Sequence, residues 1–93
     1  MKYSVVFLNS FKRDLRIIKR RGYDLELLST VIDTLQAGEK LSAKHKNHNL
    51  IGKYKGCIEC HITPDWLLIY KITEDKLFLL LSRTGTHSNL FSV

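Results

Sequence analysis

Ninety-three residues, 44% of them hydrophobic, are enough for one modest core and too apolar for a disordered chain. Fifteen Lys and Arg against nine Asp and Glu leave a formal net charge of +6, the balance of a protein that meets a polyanion such as nucleic acid. The longest apolar run, Trp66-Leu67-Leu68-Ile69-Tyr70, is far shorter than the roughly 20 residues of a membrane helix, and Met1-Lys2-Tyr3-Ser4 opens no apolar signal segment, so a cytoplasmic protein is expected.

Tyr3 to Leu8 is rich in β-formers and reads as a first strand. Asn9 or Ser10 can then cap a helix by accepting a hydrogen bond from a first-turn N–H. Phe11, Leu15 and Ile18 recur at helical spacing with Ile17 widening the stripe, while Lys12, Arg13, Arg16, Lys19 and Arg20 make the other face cationic. Gly22 suits a left-handed helix stop. A second helix is expected from about Asp24 to Ala37, burying Leu25, Leu28, Val31, Ile32 and Leu35 and ending at Gly38. The short link between the helices predicts an antiparallel pair.

Residues 39–52 form a polar connection with little periodicity, and Lys40, Lys44, Lys46, Lys53 and Lys55 make residues 40–55 basic without one acid. A connection of this length inside a compact domain usually carries function. It holds His48, and His45, which reads as a solvated loop residue. Three antiparallel strands follow, Tyr54–Ile62, Trp66–Ile72 and Lys76–Arg83, joined by turns at Thr63-Pro64-Asp65 and Thr73-Glu74-Asp75. Residues 84–93 make a small, polar, aromatic-tipped tail. The whole chain, 1–93, is expected to be one α+β domain of order β-α-α-β-β-β, with two N-terminal helices packed on an antiparallel sheet.

Cys57 and Cys60 form a C-x-x-C, but on a strand residues three apart point to opposite faces and no second cysteine pair is present. The spacing therefore argues against a zinc or redox site.

A protein that lets RNA cleave itself must take the 2′-OH proton, balance charge on the phosphoryl oxygens and protonate the leaving 5′-oxygen. Histidine suits the proton steps and arginine the phosphate. His61 ends one strand, Asp65 opens the next, Arg83 ends the last and His87 follows, while Glu59 and His61 share a strand face. Each has a plainer reading: a packing histidine, a turn aspartate, a solvated arginine, an idle tail histidine, and Phe91 as a pin for the tail.

Three segments carry a more specific signal: His48-Asn49-Leu50-Ile51-Gly52, Glu59-Cys60-His61-Ile62-Thr63-Pro64-Asp65-Trp66-Leu67-Leu68-Ile69-Tyr70 and Arg83-Thr84-Gly85-Thr86-His87-Ser88-Asn89-Leu90-Phe91. They resemble the YafQ toxins of the RelE superfamily, the toxin halves of bacterial type II toxin–antitoxin modules, over essentially the whole chain. The resemblance implies a RelE-like fold and a ribosome-associated endoribonuclease that cleaves messenger RNA without a metal or other cofactor. It also implies a cognate antitoxin of the DinJ/RelB kind as partner. By position His48, His61, Asp65, His87 and Phe91 match functional residues of that family, and Arg83 its phosphate-binding position. Glu59 stands where the family often has Asp.

The expected roles are His87 as general acid and His61 as base, oriented by Glu59 or Asp65, with His48 sharing the base or holding phosphate. Arg83 meets the phosphoryl oxygens, Phe91 stacks on a base, and Lys53 and Lys55 steer the RNA backbone. The alternatives are a non-catalytic basic protein that blocks translation by occupying RNA or the ribosome, and a metal-using nuclease built on Glu59 and Asp65.

Overall fold

The computed structural model describes residues 2–91. Strand β1 (Ser4–Phe7) leads into helices α1 (Asn9–Arg20) and α2 (Leu25–Gln36); then come β2 (His48–Asn49), β3 (Ile58–Thr63), β4 (Trp66–Thr73), β5 (Phe78–Gly85) and the short helix α3 (His87–Phe91). Single 3-10 turns occupy Ala43–His45 and Gly52–Tyr54.

The sheet runs in the order β1-β5-β4-β3-β2. Strands β3 to β5 are antiparallel as expected, and the expected connection 39–52 contributes a two-residue strand, β2, antiparallel to β3, but β1 lies parallel to β5, from Ser4 opposite Phe78 to Phe7 opposite Leu81. The sheet is therefore mixed. Tight turns force neighbouring strands to reverse, whereas the long passage through α1 and α2 frees β1 to run beside β5 in the same direction.

Both long helices stop where glycine permits a left-handed residue. Gly22 and Gly38 each have φ +78°, and in each case the next residue's N–H bonds back into the last turn, Tyr23 to the Ile18 carbonyl and Glu39 to that of Thr34. The start of α1 differs from expectation. Leu8 is its N-cap without a side-chain bond, and the Ser10 hydroxyl donates 2.7 Å to the Ser82 carbonyl, tying the helix to β5 instead. Asp24 does cap α2, accepting from Glu26 N–H at 3.0 Å.

Helix α1 lies over β5 and α2 over β3, and both bury their apolar sides on the same face of the sheet. Phe11, Ile18, Leu28, Val31 and Leu35 meet Cys60, Ile62, Trp66, Leu68, Tyr70, Leu79 and Leu81 in one buried cluster. Ile17 falls outside it and is 42% exposed; its expected place in the α1 stripe goes to Asp14. Cys60 lies in this cluster while Cys57 packs on the opposite side of the sheet, as the strand spacing required. Burial pushes the Cys60 thiol up to about 12, the charge of Glu59 adding to the effect.

Candidate active site

Alternation along β4 sends Trp66, Leu68 and Tyr70 toward the helices and Leu67 and Ile69 to the other, outer face. Strand register then decides which polar side chains share that face. His48 stands opposite Glu59, Glu59 opposite Ile69 and Ile69 opposite Arg83, a row across four strands. The adjacent row is His61, Leu67 and Gly85. An irregularity in the β4–β5 register between Ile69 and Tyr70 sets Arg83 in this row.

Of the tail expected over residues 84–93, Thr84 and Gly85 end β5 and His87–Phe91 form α3, while 92 and 93 lie outside the described residues. Thr86 caps it, its hydroxyl accepting from Asn89 N–H at 3.2 Å and its carbonyl from Leu90 N–H at 3.1 Å. Leu90 is buried against Leu67 and Ile69, so α3 lies on the outer face and carries His87 and Phe91 with it.

One half of the site is a carboxylate between two imidazoles. Glu59 is 5% exposed, and its Oε1 is 3.3 Å from His48 Nε2 and 3.6 Å from His61 Nε2. Backbone carbonyls only accept, so the other ring nitrogens carry hydrogen: His48 Nδ1 donates to the Lys46 carbonyl at 2.7 Å and His61 Nδ1 to that of Pro64 at 3.3 Å. Both rings are thereby turned so that Nε2 faces the same oxygen. At 3.6 Å, His61 Nε2 is beyond a good hydrogen bond and stays open to a substrate hydroxyl.

The other half is built around Arg83. Its Nε donates to Asp14 Oδ2 at 2.6 Å and its Nη2 to Asp14 Oδ1 at 3.2 Å, while Nη1 donates to the Tyr54 hydroxyl at 3.1 Å. Hydrogen bonding to Asp14 raises the guanidinium pKa further above its ordinary high value, outweighing the opposing effect of burial. Asp14, 9% exposed, also accepts the Thr84 N–H at 3.0 Å. β1 pairs with β5 only as far as Leu81, so α1 supplies through Asp14 the acceptor that a longer strand would have offered at Thr84. The Tyr54 ring meets Phe91 edge-on at 5.6 Å, and Phe91 lies 4.9 Å from the exposed His87 ring. Ile51, Lys53, Tyr54, Leu90 and Phe91 line an open groove of about 240 Å³ beside them.

Of the residues picked from the sequence, His48, Glu59 and His61 form one contact set, and Arg83, His87 and Phe91 are linked through Tyr54. Lys53 borders the groove with Nζ 5.6 Å from the Tyr54 ring, and Lys55 is exposed at the end of the adjoining turn. Asp65 is exposed in the β3–β4 turn, where the Pro64 carbonyl takes the contact with His61 that Asp65 was a candidate for.

His45 is not a solvated loop residue. It is half-buried, and its Nδ1 donates 2.6 Å to the His61 carbonyl, covering the edge of β3 beyond the two-residue strand β2. Asp14 and Tyr54 were also missed. The lone acid on an otherwise basic helix, three residues after Phe11 and four before Ile18, was a readable signal for Asp14. Tyr54 gave none. Among the described residues no group of three or more His, Cys, Asp or Glu side chains is arranged to hold a metal ion, and no helix is long and apolar enough to cross a membrane.

Comparison with known proteins points to the same family. Residues 3–92 match the family described as bacterial toxin of type II toxin–antitoxin system, YafQ. The chain is 38% identical over 88 residues to the mRNA interferase toxin YafQ of Escherichia coli K12, covering 94% of each protein. The toxin chain in the E. coli DinJ–YafQ toxin–antitoxin complex superposes with a TM-score of 0.88 at 32% identity, over 99% of this chain and 100% of that one. A metal-bound toxin from Helicobacter pylori superposes with a TM-score of 0.89 at 39% identity, over 96% and 99%. With residues 3–92 matched and the fold shared, this chain belongs to the YafQ family of toxins from bacterial type II toxin–antitoxin systems.

Proposed function

We propose that the protein is a ribosome-associated, metal-independent endoribonuclease that cleaves messenger RNA and is held inactive by a cognate antitoxin resembling DinJ. The observation that carries this reading is the shared outer face: imidazoles at His48, His61 and His87, and the Arg83 guanidinium, around a strip of buried Leu67 and Ile69. The names of the E. coli relatives, an mRNA interferase and a toxin–antitoxin complex, point the same way.

The chemistry follows from the proton positions. His61 Nε2, the nitrogen left bare, takes the proton of the 2′-hydroxyl as its oxygen attacks phosphorus. The imidazolium then stands against Glu59, whose charge stabilises it. Charge on the non-bridging oxygens goes to Arg83, which has five N–H bonds, three of them committed within the protein and one free on each terminal nitrogen. His87, exposed at the start of α3, gives a proton to the leaving 5′-oxygen, producing a 5′-hydroxyl and a 2′,3′-cyclic phosphate, which water can then open to a 3′-phosphate. His48 backs Glu59 or meets phosphate, Phe91 stacks on a base for about 1–3 kcal/mol, and Lys53 and Lys55 draw in the backbone. Asp65 enters through the family resemblance alone.

The metal-bound H. pylori toxin supports a second reading in which a cation takes part. Translated messenger RNA, its ribosomes kept in Mg2+, incubated with protein stripped of bound metal by EDTA and dialysed, beside the same protein reloaded with a divalent transition metal, separates them. New 5′-hydroxyl ends in both samples support the proposal. Ends made only by the reloaded protein favour a bound metal, and stalled but intact messages indicate a non-catalytic binder.

A further inference from the structure

We infer that Asp14 is a positioning residue for cleavage: it holds Arg83 toward the phosphate and away from Glu59. The inference rests on the cleavage reading above and adds to it a residue outside the sequence segments that carry the family resemblance.

Glu59 and Arg83 flank Ile69 in one cross-strand row, so their backbones are two strand spacings, about 10 Å, apart. Both side chains project from the same face, and an arginine has a long, flexible arm. Opposite charges so placed attract. If they met, the Glu59 charge would no longer face the two imidazoles, and the arginine would spend on a carboxylate the donors meant for phosphate. Ile69 lies between them but is apolar and offers the guanidinium no competing acceptor.

Asp14 supplies that acceptor on the far side of Arg83. The paired bonds from Nε and Nη2 fix both the position and the plane of the guanidinium, as a single bond would not. Asp14 is itself fixed, being buried on α1 and tied to the Thr84 N–H of β5. Tyr54 receives one hydrogen of Nη1 and links the brace to Phe91. Two carboxylates thus serve two separate sets, Glu59 the histidines and Asp14 the arginine.

The test is the rate of cleavage of translated messenger RNA at varied substrate, with Tm as a check on folding. Asp14→Asn keeps an acceptor for Thr84 but loses the charge; it is expected to lower kcat by about 100-fold with little change in KM, and Asp14→Glu to recover part of the loss. In a Glu59→Gln background, where the rival acceptor is uncharged, Asp14→Asn should cost clearly less; a merely structural role predicts the same cost in both backgrounds. Asp14→Asn at wild-type kcat beside an inactive Arg83→Ala overturns the inference, as does an equal loss in the two backgrounds. A wild-type rate for Arg83→Ala would instead overturn the cleavage reading. Should Asp14→Asn fail to fold, NMR of the wild-type protein decides: a slowly rotating Arg83 guanidinium with a protected Nε–H is expected, and a freely rotating one refutes the brace.

Discussion

Glu59 and Arg83 lie in register on either side of Ile69, each bound to partners of its own: the carboxylate faces His48 and His61, and the guanidinium is paired with Asp14. This separation is the plan of the site, and it makes Glu59 the first residue to test. Glu59→Gln keeps the size of the side chain but removes the charge facing both Nε2 atoms. Cleavage should slow by about 10–100-fold, no more than the roughly 10²–10⁴-fold of the acid–base group itself, because Glu59 acts through His61. Glu59→Asp, which restores the carboxylate on a shorter arm, should fall between Gln and wild type in the same assay.

Thr84 joins the two sides of the sheet. Its hydroxyl accepts the Trp66 indole N–H at 2.9 Å and donates to the Leu67 carbonyl at 2.8 Å, while its amide is held by Asp14. Thr84→Val keeps the shape but strands a buried indole N–H, which costs about 1–3 kcal/mol. Urea unfolding should show the loss in the midpoint, with the m-value unchanged.

These two cases mark what could be read in advance. The helix stripe, the glycine stops and the strand alternation are local patterns, so Phe11, Leu28, Trp66 and the opposed Cys57 and Cys60 were predictable from spacing. Pairing across the sheet is not local. Nothing near His48 says that it faces Glu59, because β2 has only two residues and takes its register from β3. Asp14 meets Arg83 and Thr84 across about 70 positions, and β1 joins β5 from the opposite end of the chain. α3 is too short for periodicity; its order comes from the Thr86 cap and the burial of Leu90.

Alkaline pH should destabilise the fold through Cys60 and Tyr70. Burial is the main cause that pushes each group up to about 12, from ordinary values of 9.0 and 10.0. Well below pH 9 both groups are protonated in folded and unfolded chains and cost nothing. Above it the unfolded chain ionises first, so stability falls as pH rises from about 9 toward 12. Tm measured across that range should drop more steeply for wild type than for Cys60→Ala. At neutral pH, a thiol reagent should modify half-buried Cys57 before fully buried Cys60.

Leu77 ends the β4–β5 turn with φ +54° and is 45% exposed. A left-handed conformation costs a side-chain-bearing residue roughly 1–2 kcal/mol, against about 0.4–1 kcal/mol for the extra unfolded-state freedom of glycine. Leu77→Gly should therefore raise stability by up to about 1 kcal/mol in thermal unfolding and leave cleavage unchanged.

The most direct test compares wild type, His61→Ala and His87→Ala for the single-turnover rate at which translated messenger RNA is cut, at equal folded concentration. A base at His61 and an acid at His87 predict that each variant loses about 10²–10⁴-fold, with 5′-hydroxyl ends from the wild type. Wild-type rates from both variants would contradict the account.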